Sequence, residues 1–223
     1  MRRIRVSPDG REIRDLVAGL PPGRFVLGLS GSPGVGKSTL AADLASAYGA
    51  PVVPMDGFHR PNAELIVMGR LDAKGAPDTF DAEGYAELLR RLRGGVNGGE
   101  VWAPAFDHRL PDPVADAIAV PGTAGLVVTE GNYLLLDEAR WRAAYDACDA
   151  VWHLVTDDQV RTERLVRRHH DSGKDPRFAR EWVARVDQPN ADQVEAAAHR
   201  ADLVLDLGEW SGRIEGPAPD GGA

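Results

Sequence analysis

The segment with the most informative residue types and spacing is Gly31-Ser32-Pro33-Gly34-Val35-Gly36-Lys37-Ser38-Thr39. It fits G-x-x-x-x-G-K-[ST], the pattern of a loop that cradles phosphate. Glycine at 31, 34 and 36 admits backbone conformations closed to other residues, so successive N–H groups can turn inward onto phosphate oxygens. A helix starting near Lys37 adds its positive end. Lys37 can reach the β- and γ-phosphates, and the Ser38 hydroxyl can meet Mg²⁺. Gly31, Ser32, Gly34, Val35, Gly36, Lys37, Ser38 and Thr39 form the candidate nucleotide-binding set.

Phosphoryl transfer also needs a group that holds the metal and one that orients or deprotonates the acceptor. Two carboxylates follow apolar runs: Asp56 after Val52-Val53-Pro54-Met55, and Glu130 after Leu126-Val127-Val128-Thr129. In a parallel sheet both would reach the edge where the phosphate loop lies. Asp56 is the candidate base for an acceptor hydroxyl. Glu130, with Ser38, is the candidate for Mg²⁺, through a water shell that this ion tends to keep. The plainer alternative is that each acid caps the element after it.

Arg161, Arg164 and Arg168 share one helical face by i, i+3, i+4 spacing. Alone, they read equally well as a solvated face paired to Glu163 or Asp158. Beside a phosphate loop they read as a lid closing over ATP phosphates, with Arg164 and Arg168 joining Asp56 and Lys37 as candidate catalytic residues.

The elements that must position these residues alternate. Helices are expected over 10–20, 37–48, 80–93, 157–170, 181–187 and 191–199. Short apolar strands are expected over 25–29, 51–55, 125–129, 150–155 and 203–207. Strands alternating with helices read as a mostly parallel sheet covered on both faces. No internal repeat interrupts the 223 residues, and the 25 glycines and 16 prolines fall mainly between apolar runs as loop punctuation.

Composition narrows the classes. Hydrophobic residues at 43% and charged residues at 27% describe a globular chain. A net charge of −8 opposes a protein that coats nucleic acid. The single cysteine, Cys148, excludes an intrachain disulfide and a Cys-rich zinc site. It sits in a helix-like run with no basic neighbour and reads as structural. No apolar run approaches the roughly 18 residues of a spanning helix, and no signal-peptide pattern follows the basic start. A cytoplasmic protein with no membrane or nucleic-acid partner is expected. A homodimer would be ordinary for such a chain, although nothing in the sequence marks an interface.

A further set of segments extends the pattern in order: Met55-Asp56-Gly57-Phe58-His59, Pro104-Ala105-Phe106-Asp107-His108-Arg109, Val127-Val128-Thr129-Glu130-Gly131 and Arg164-Leu165-Val166-Arg167-Arg168. With the phosphate loop, this order resembles the P-loop kinases that include uridine kinase, phosphoribulokinase and bacterial-type pantothenate kinase. The likeness runs from about Phe25 to Leu207. Asp56 through Asn62, then Gly69-Arg70-Leu71 and Gly75-Ala76-Pro77-Asp78-Thr79-Phe80-Asp81, is most similar to the bacterial nucleoside/nucleotide kinase family, some of whose members are named fructose transport system kinases. The resemblance implies Asp56 as base, Lys37 and Ser38 at the nucleotide, Glu130 near Mg²⁺, and Arg164 and Arg168 in a lid. It also places Asp187-Gln188-Pro189-Asn190-Ala191 beside the adenine. The sequence departs from uridine kinases at Gly57-Phe58-His59, where they usually carry Ser-Phe-Tyr.

The resulting expectation is an α/β chain with the three-layer α/β/α P-loop NTPase fold, a mostly parallel central sheet and a helical lid. One domain covers 1–210, with the lid near 161–175, an acceptor segment near 56–110 and a flexible tail at 211–223. Asp56, His59, Arg60, Asp81, His108 and Arg109 are the candidate acceptor-binding residues, with Asp107 beside them. Their mixture of carboxylate, imidazole and guanidinium suits a sugar, a nucleoside or an anionic, pantothenate-like acceptor. His169 and His170 belong to the lid helix rather than to a ligand set, and Trp102 is expected in the core. The expected activity is ATP- and Mg²⁺-dependent transfer of the γ-phosphate to a hydroxyl of a small metabolite. The alternative is an ATP-binding switch with slow hydrolysis that acts through a protein partner; such a switch would not need the polar set around Asp56.

Overall fold

A computed structural model describes residues 1–95, 99–107, 109–173 and 175–214. His108 and most of the expected tail lie outside the described residues. Six parallel strands form the central sheet: β1 (Arg2–Arg5), β2 (Phe25–Gly31), β3 (Val52–Pro54), β6 (Leu126–Glu130), β7 (Ala150–Val155) and β8 (Leu203–Asp206), in the order β1-β8-β7-β2-β6-β3. β2 is central, with β7 on one side and β6 on the other. Its C-terminal end therefore opens at the crevice where a parallel sheet receives ligands.

The strands are apolar throughout because both faces are buried. Successive residues go to opposite sides. Val26 and Val127 enter a core with the helices α4 (Ala82–Gly94), α5 (Ala139–Asp146) and α8 (Gln188–Ala196). Leu27 and Val128 enter a second core with α1 (Arg11–Ala18) and α2 (Lys37–Tyr48). Two helical layers around one sheet make the three-layer α/β/α arrangement. Among the described residues, no helix is long and apolar enough to cross a membrane.

The remaining elements are α3 (Asn62–Val67), the hairpin β4 (Glu100–Ala105) and β5 (Val114–Pro121), α6 (Asp158–Asp171), and α7 (Pro176–Trp182). The hairpin was not expected from the sequence. Pro104 within β4 and Asp116 at φ 48° within β5 carry the marks of breakers, and the ladder shifts register between Ala103 and Ala105 to accommodate them. Its Val101, Ala103 and Val120 seal the α4 core. Trp102, expected in the core, points the other way and is 47% exposed.

Two boundaries also differ from expectation. The helix expected from 80 begins at Ala82, because Phe80 forms a bridge with His59 and the Asp81 side chain accepts the Gly84 N–H as N-cap. The helix expected over 181–187 is instead α7 followed by a π-helical turn, Val183–Asp187, that runs into α8. At the chain's far end, Ser211 donates to the Pro8 carbonyl and Ile214 is buried in the α2 core. Among the described residues, packing thus continues to Ile214, four residues past 210.

Candidate active site

The loop after β2 is shaped by its neighbours as much as by its glycines. Gly34 has φ 82°, and a Cβ there would stand 2.8 Å from both the Arg161 carbonyl and Leu165 Cγ of α6. Glycine at 34 lets α6 lie directly on the loop. Lys37 opens α2 and turns its ammonium inward, donating to the carbonyls of Gly31 at 2.8 Å and Ser32 at 3.2 Å. Burial pushes that ammonium down to about 8, against the opposing attraction of Glu130 and Asp56. Ser38 and Thr39 remain exposed on the first turn of α2.

The two carboxylates reach this edge through the sheet register. β3 pairs with β6 so that Pro54 faces Glu130, and Asp56 follows in a 3₁₀ turn, Met55–Phe58. Beneath them the Thr129 hydroxyl donates to the Val53 carbonyl at 2.7 Å and also meets the Tyr85 hydroxyl of α4. This buried bond ties the two strands one residue before Glu130. Above, Gly57 lies so close to β4 that a Cβ would sit 2.3 Å from the Pro104 carbonyl oxygen. The turn bearing Asp56 is thus clamped between strand and hairpin.

Ser38 Oγ donates to Glu130 Oε1 at 2.8 Å. Burial raises the Glu130 carboxyl above its ordinary value, Lys37 works in the opposite direction, and Asp56 adds to the rise. Arg168 bears on both Lys37 and Glu130. One electrostatic neighbourhood therefore contains Lys37, Glu130, Asp56 and Arg168, although the chain separates them by up to 131 positions.

The arginines of α6 divide. Arg161 is 3% exposed; it donates to the Pro33 carbonyl at 3.3 Å and to Gln188 Oε1 at 2.6 Å. Arg164 is exposed and reaches the Val35 carbonyl at 3.4 Å. Arg168, also exposed, acts on Lys37 and Glu130 through its charge. The expected lid is thus packed onto the loop at Arg161 and Leu165, while Arg164 and Arg168 stay open to solvent.

The acceptor candidates are dispersed more than the sequence implied. His59 stacks on Phe80, with centroids 4.1 Å apart, and meets Phe106. Arg60 pairs with Glu64. Asp81 caps α4, the plainer of the two readings open to an acid before a helix. Arg109 forms a bidentate pair with Asp107, at 3.0 and 2.7 Å, in the connection between β4 and β5, and is 88% exposed. His108 lies outside the described residues.

Sequence reasoning missed four polar features near this edge. Tyr133 is buried, donates to the Gly75 carbonyl at 2.6 Å, and feels Asp56, Asp187 and Asp78. Lys74 donates to Asn62 Oδ1 and the Pro111 carbonyl, both at 2.6 Å, and lies 5.2 Å from the Phe106 ring centre. His169 and Asp187 meet at 2.8 Å, joining α6 to the π turn. Glu195 of α8 bonds both Ser32 and His153. Tyr133 carried a sequence signal in its place just after Glu130-Gly131-Asn132, and Asp187 in the segment that the resemblance places beside the adenine; their contacts carried none. Cys148 is buried, and burial pushes its thiol up to about 12, in keeping with a structural residue.

Fold and loop together define a P-loop enzyme of nucleoside triphosphates. No family model matches the chain. It is 37% identical over 196 residues to the uncharacterised protein YggC of Escherichia coli K12, an alignment covering 85% of this chain and 80% of that protein. It is 36% identical over 195 residues to a Schizosaccharomyces pombe protein provisionally named uridine kinase, covering 82% and 83%. A crystal structure from Silicibacter sp. TM1040, provisionally named a fructose transport system kinase, superposes with a TM-score of 0.75 at 38% identity, over 87% of this chain and 95% of that one. The chain belongs to the P-loop kinases of the group that includes uridine kinase and pantothenate kinase, and is a phosphotransferase with an alcohol group as acceptor.

Proposed function

We propose that this kinase uses ATP and Mg²⁺ to phosphorylate a hydroxyl of a small polar metabolite, a nucleoside, a sugar or a pantothenate-like acid, with Asp56 as the general base. The convergence of Lys37, Glu130, Asp56 and Arg168 on one sheet edge carries this reading. The loop N–H groups and Lys37 hold the β- and γ-phosphates. Asp56 takes the proton of the acceptor hydroxyl, whose oxygen forms a bond to the γ-phosphorus. The bond from that phosphorus to the bridging oxygen breaks, and ADP leaves. Arg164 and Arg168 balance charge as it spreads over the transferring group.

The Ser38 hydroxyl and the Glu130 carboxylate, 2.8 Å apart, fit a hard cation that prefers oxygen. Among the described residues no group of three or more His, Cys, Asp or Glu could hold a metal. That suits Mg²⁺, which is bound through one or two protein oxygens together with phosphates and water rather than in a protein cage. Bound there, the ion would neutralise charge on the β- and γ-phosphates. His59 and Arg60 stand three and four positions after Asp56 and are the acceptor contacts this reading favours.

The test is ADP release from ATP and Mg²⁺ across nucleosides, pantothenate, fructose and other sugars, polyols and phosphosugars, with Asp56→Asn in parallel. An acceptor that stimulates the wild type and not the variant supports the assignment. A variant with near-full turnover on that acceptor overturns Asp56 as base. ATP binding without stimulation by any acceptor class in the panel overturns the substrate reading.

A further inference from the structure

A chain of polar contacts, buried at Ser32 and His153 and half-exposed at Glu195, runs beneath the phosphate loop. Ser32 Oγ donates to Glu195 Oε1 at 2.6 Å, and the other oxygen, Oε2, lies 3.2 Å from His153 Nε2. Ser32 is 1% exposed and His153 is fully buried. His153 sits on β7 opposite Ser30 of β2, immediately before the loop. With Glu195 ionised, His153 must donate through Nε2; its Nδ1 has no hydrogen-bond partner among the described residues. The Ser32 carbonyl, in turn, receives the Lys37 ammonium at 3.2 Å. The contacts thus run from His153 through Glu195 and Ser32 to Lys37.

Burial works against the Glu195 carboxylate, but its bonds to His153 and Ser32 outweigh that and hold it below the usual range. Hydrogen bonds to an ionised partner are shorter and about twice as strong as neutral ones. A second tie from the same helix reaches the next loop residue: Gln188 receives Arg161, which also donates to the Pro33 carbonyl. Among the described residues α8 thus grips the loop through Gln188, through the Ala191 carbonyl 3.5 Å from Ser32 Oγ, and through Glu195, whose carboxylate makes the shorter bond to Ser32, one of the two residues whose carbonyls seat Lys37.

We infer that Glu195 is a positioning residue for nucleotide binding: held by His153, it fixes Ser32 and so sets the seat of the Lys37 ammonium in the phosphate loop. The inference rests on the loop's being the nucleotide site. It goes further in assigning an α8 residue, outside the loop and the acid pair, to ATP affinity.

The experiment measures the Kd of a fluorescent ATP analogue and the KM values for ATP and acceptor. Glu195→Ala and Ser32→Ala should each weaken nucleotide binding about tenfold, the scale of one lost charge-assisted bond. The acceptor KM should stay within twofold. The double variant should be close to the weaker single variant, because the Ser32–Glu195 bond is already lost in each. Glu195→Gln, which can still accept from Ser32, should recover most of the affinity. Should Glu195→Ala fail to fold, Ser32→Ala and Glu195→Gln still read the same contact. Unchanged nucleotide affinity in Ser32→Ala, additive losses in the double variant, or equal losses for nucleotide and acceptor would each overturn the inference. Failure of the wild type to bind nucleotide would instead sink the kinase reading.

Discussion

The two halves of the active-site edge are built by different means. On the nucleotide side, the proposed phosphate-binding groups come from nine consecutive residues, mostly from their backbone. Lys37 is placed by the helix it begins, and Glu130 by the strand register that brings it to Ser38. On the proposed acceptor side, Asp56, Lys74 and Tyr133 come from separate turns: the turn bearing Asp56 is clamped at Gly57 against Pro104, and Lys74 and Tyr133 are held by side-chain hydrogen bonds to other segments. A ligand shared by many enzymes can be met by a local backbone motif. An acceptor that distinguishes one enzyme from another is met by side chains assembled over long separations, where a single substitution can change the pocket and leave the fold intact.

Separating the halves by mutation should produce the largest effect at Asp56. Asp56→Asn should lower turnover by about 10²–10⁴-fold, the usual contribution of a positioned general base, and leave the Kd for ATP within twofold. Turnover and nucleotide titration on the same sample check this. Equal loss of ATP affinity would mean that the two halves are one unit. Gly57→Ala comes next. Its new methyl would sit 2.3 Å from the Pro104 carbonyl oxygen, so the 3₁₀ turn or the hairpin must move, at a cost of about 1–3 kcal/mol. The shift should appear in the acceptor KM and the melting temperature, with ATP affinity retained. A variant altered in ATP affinity alone would break the division.

The same contrast explains which features were legible. The phosphate loop announces itself because its geometry needs particular residues at fixed local spacing. The alternation of Val26 with Leu27, and of Val127 with Val128, between two cores follows from strands buried on both faces, so the sheet was readable as well. Asp56 and Glu130 could be placed because each follows a short apolar run: Glu130 ends β6, and Asp56 falls in the turn just after β3. The hairpin was hidden by Pro104 and Asp116, residues that weaken a strand pattern but are tolerated at a bulge and an edge. Arg161 read as a lid residue, since helical spacing shows which residues share a face but not what that face meets. Glu195 carried no signal at all: its partners lie 163 and 42 positions away, and only the packing of α8 against β2 and β7 joins them.

Acidity offers a finer test of the nucleotide half. The Lys37 ammonium is pushed down from 10.5 to about 8 by burial. Because the folded value lies below the unfolded one, the unfolded chain holds more protons between about 8 and 10.5, and this lysine makes stability rise with pH across that window. Nucleotide affinity moves the other way, since it needs the charged form. Above about pH 8 the Kd for ATP should climb, approaching tenfold per pH unit as the ammonium is lost. Asp56→Asn removes a neighbour that favours the charge, so its rise should begin at lower pH. A Kd flat from pH 7 to 9.5 would show that Lys37 keeps its proton in the loop.

The smallest effect is expected at Arg109, and there the acceptor half can be given a boundary. Residue type and proximity to Asp107 and His108 made it a candidate acceptor contact. The folded chain pairs it with Asp107 in the connection between β4 and β5, where its side chain is 88% exposed. An exposed ion pair screened by water contributes little to stability; Arg60 is paired with a carboxylate too, but its side chain is largely buried beside the Asp56 turn, whereas that of Arg109 lies in solvent. Arg109→Ala should therefore leave the melting temperature unchanged and shift the acceptor KM by less than twofold, while Arg60→Ala, on a residue four positions beyond Asp56, should raise it by more. Steady-state kinetics on the two variants with one acceptor decides the point. A KM rise at Arg109 as large as at Arg60 would bring the hairpin connection into the pocket and enlarge the acceptor half to include it.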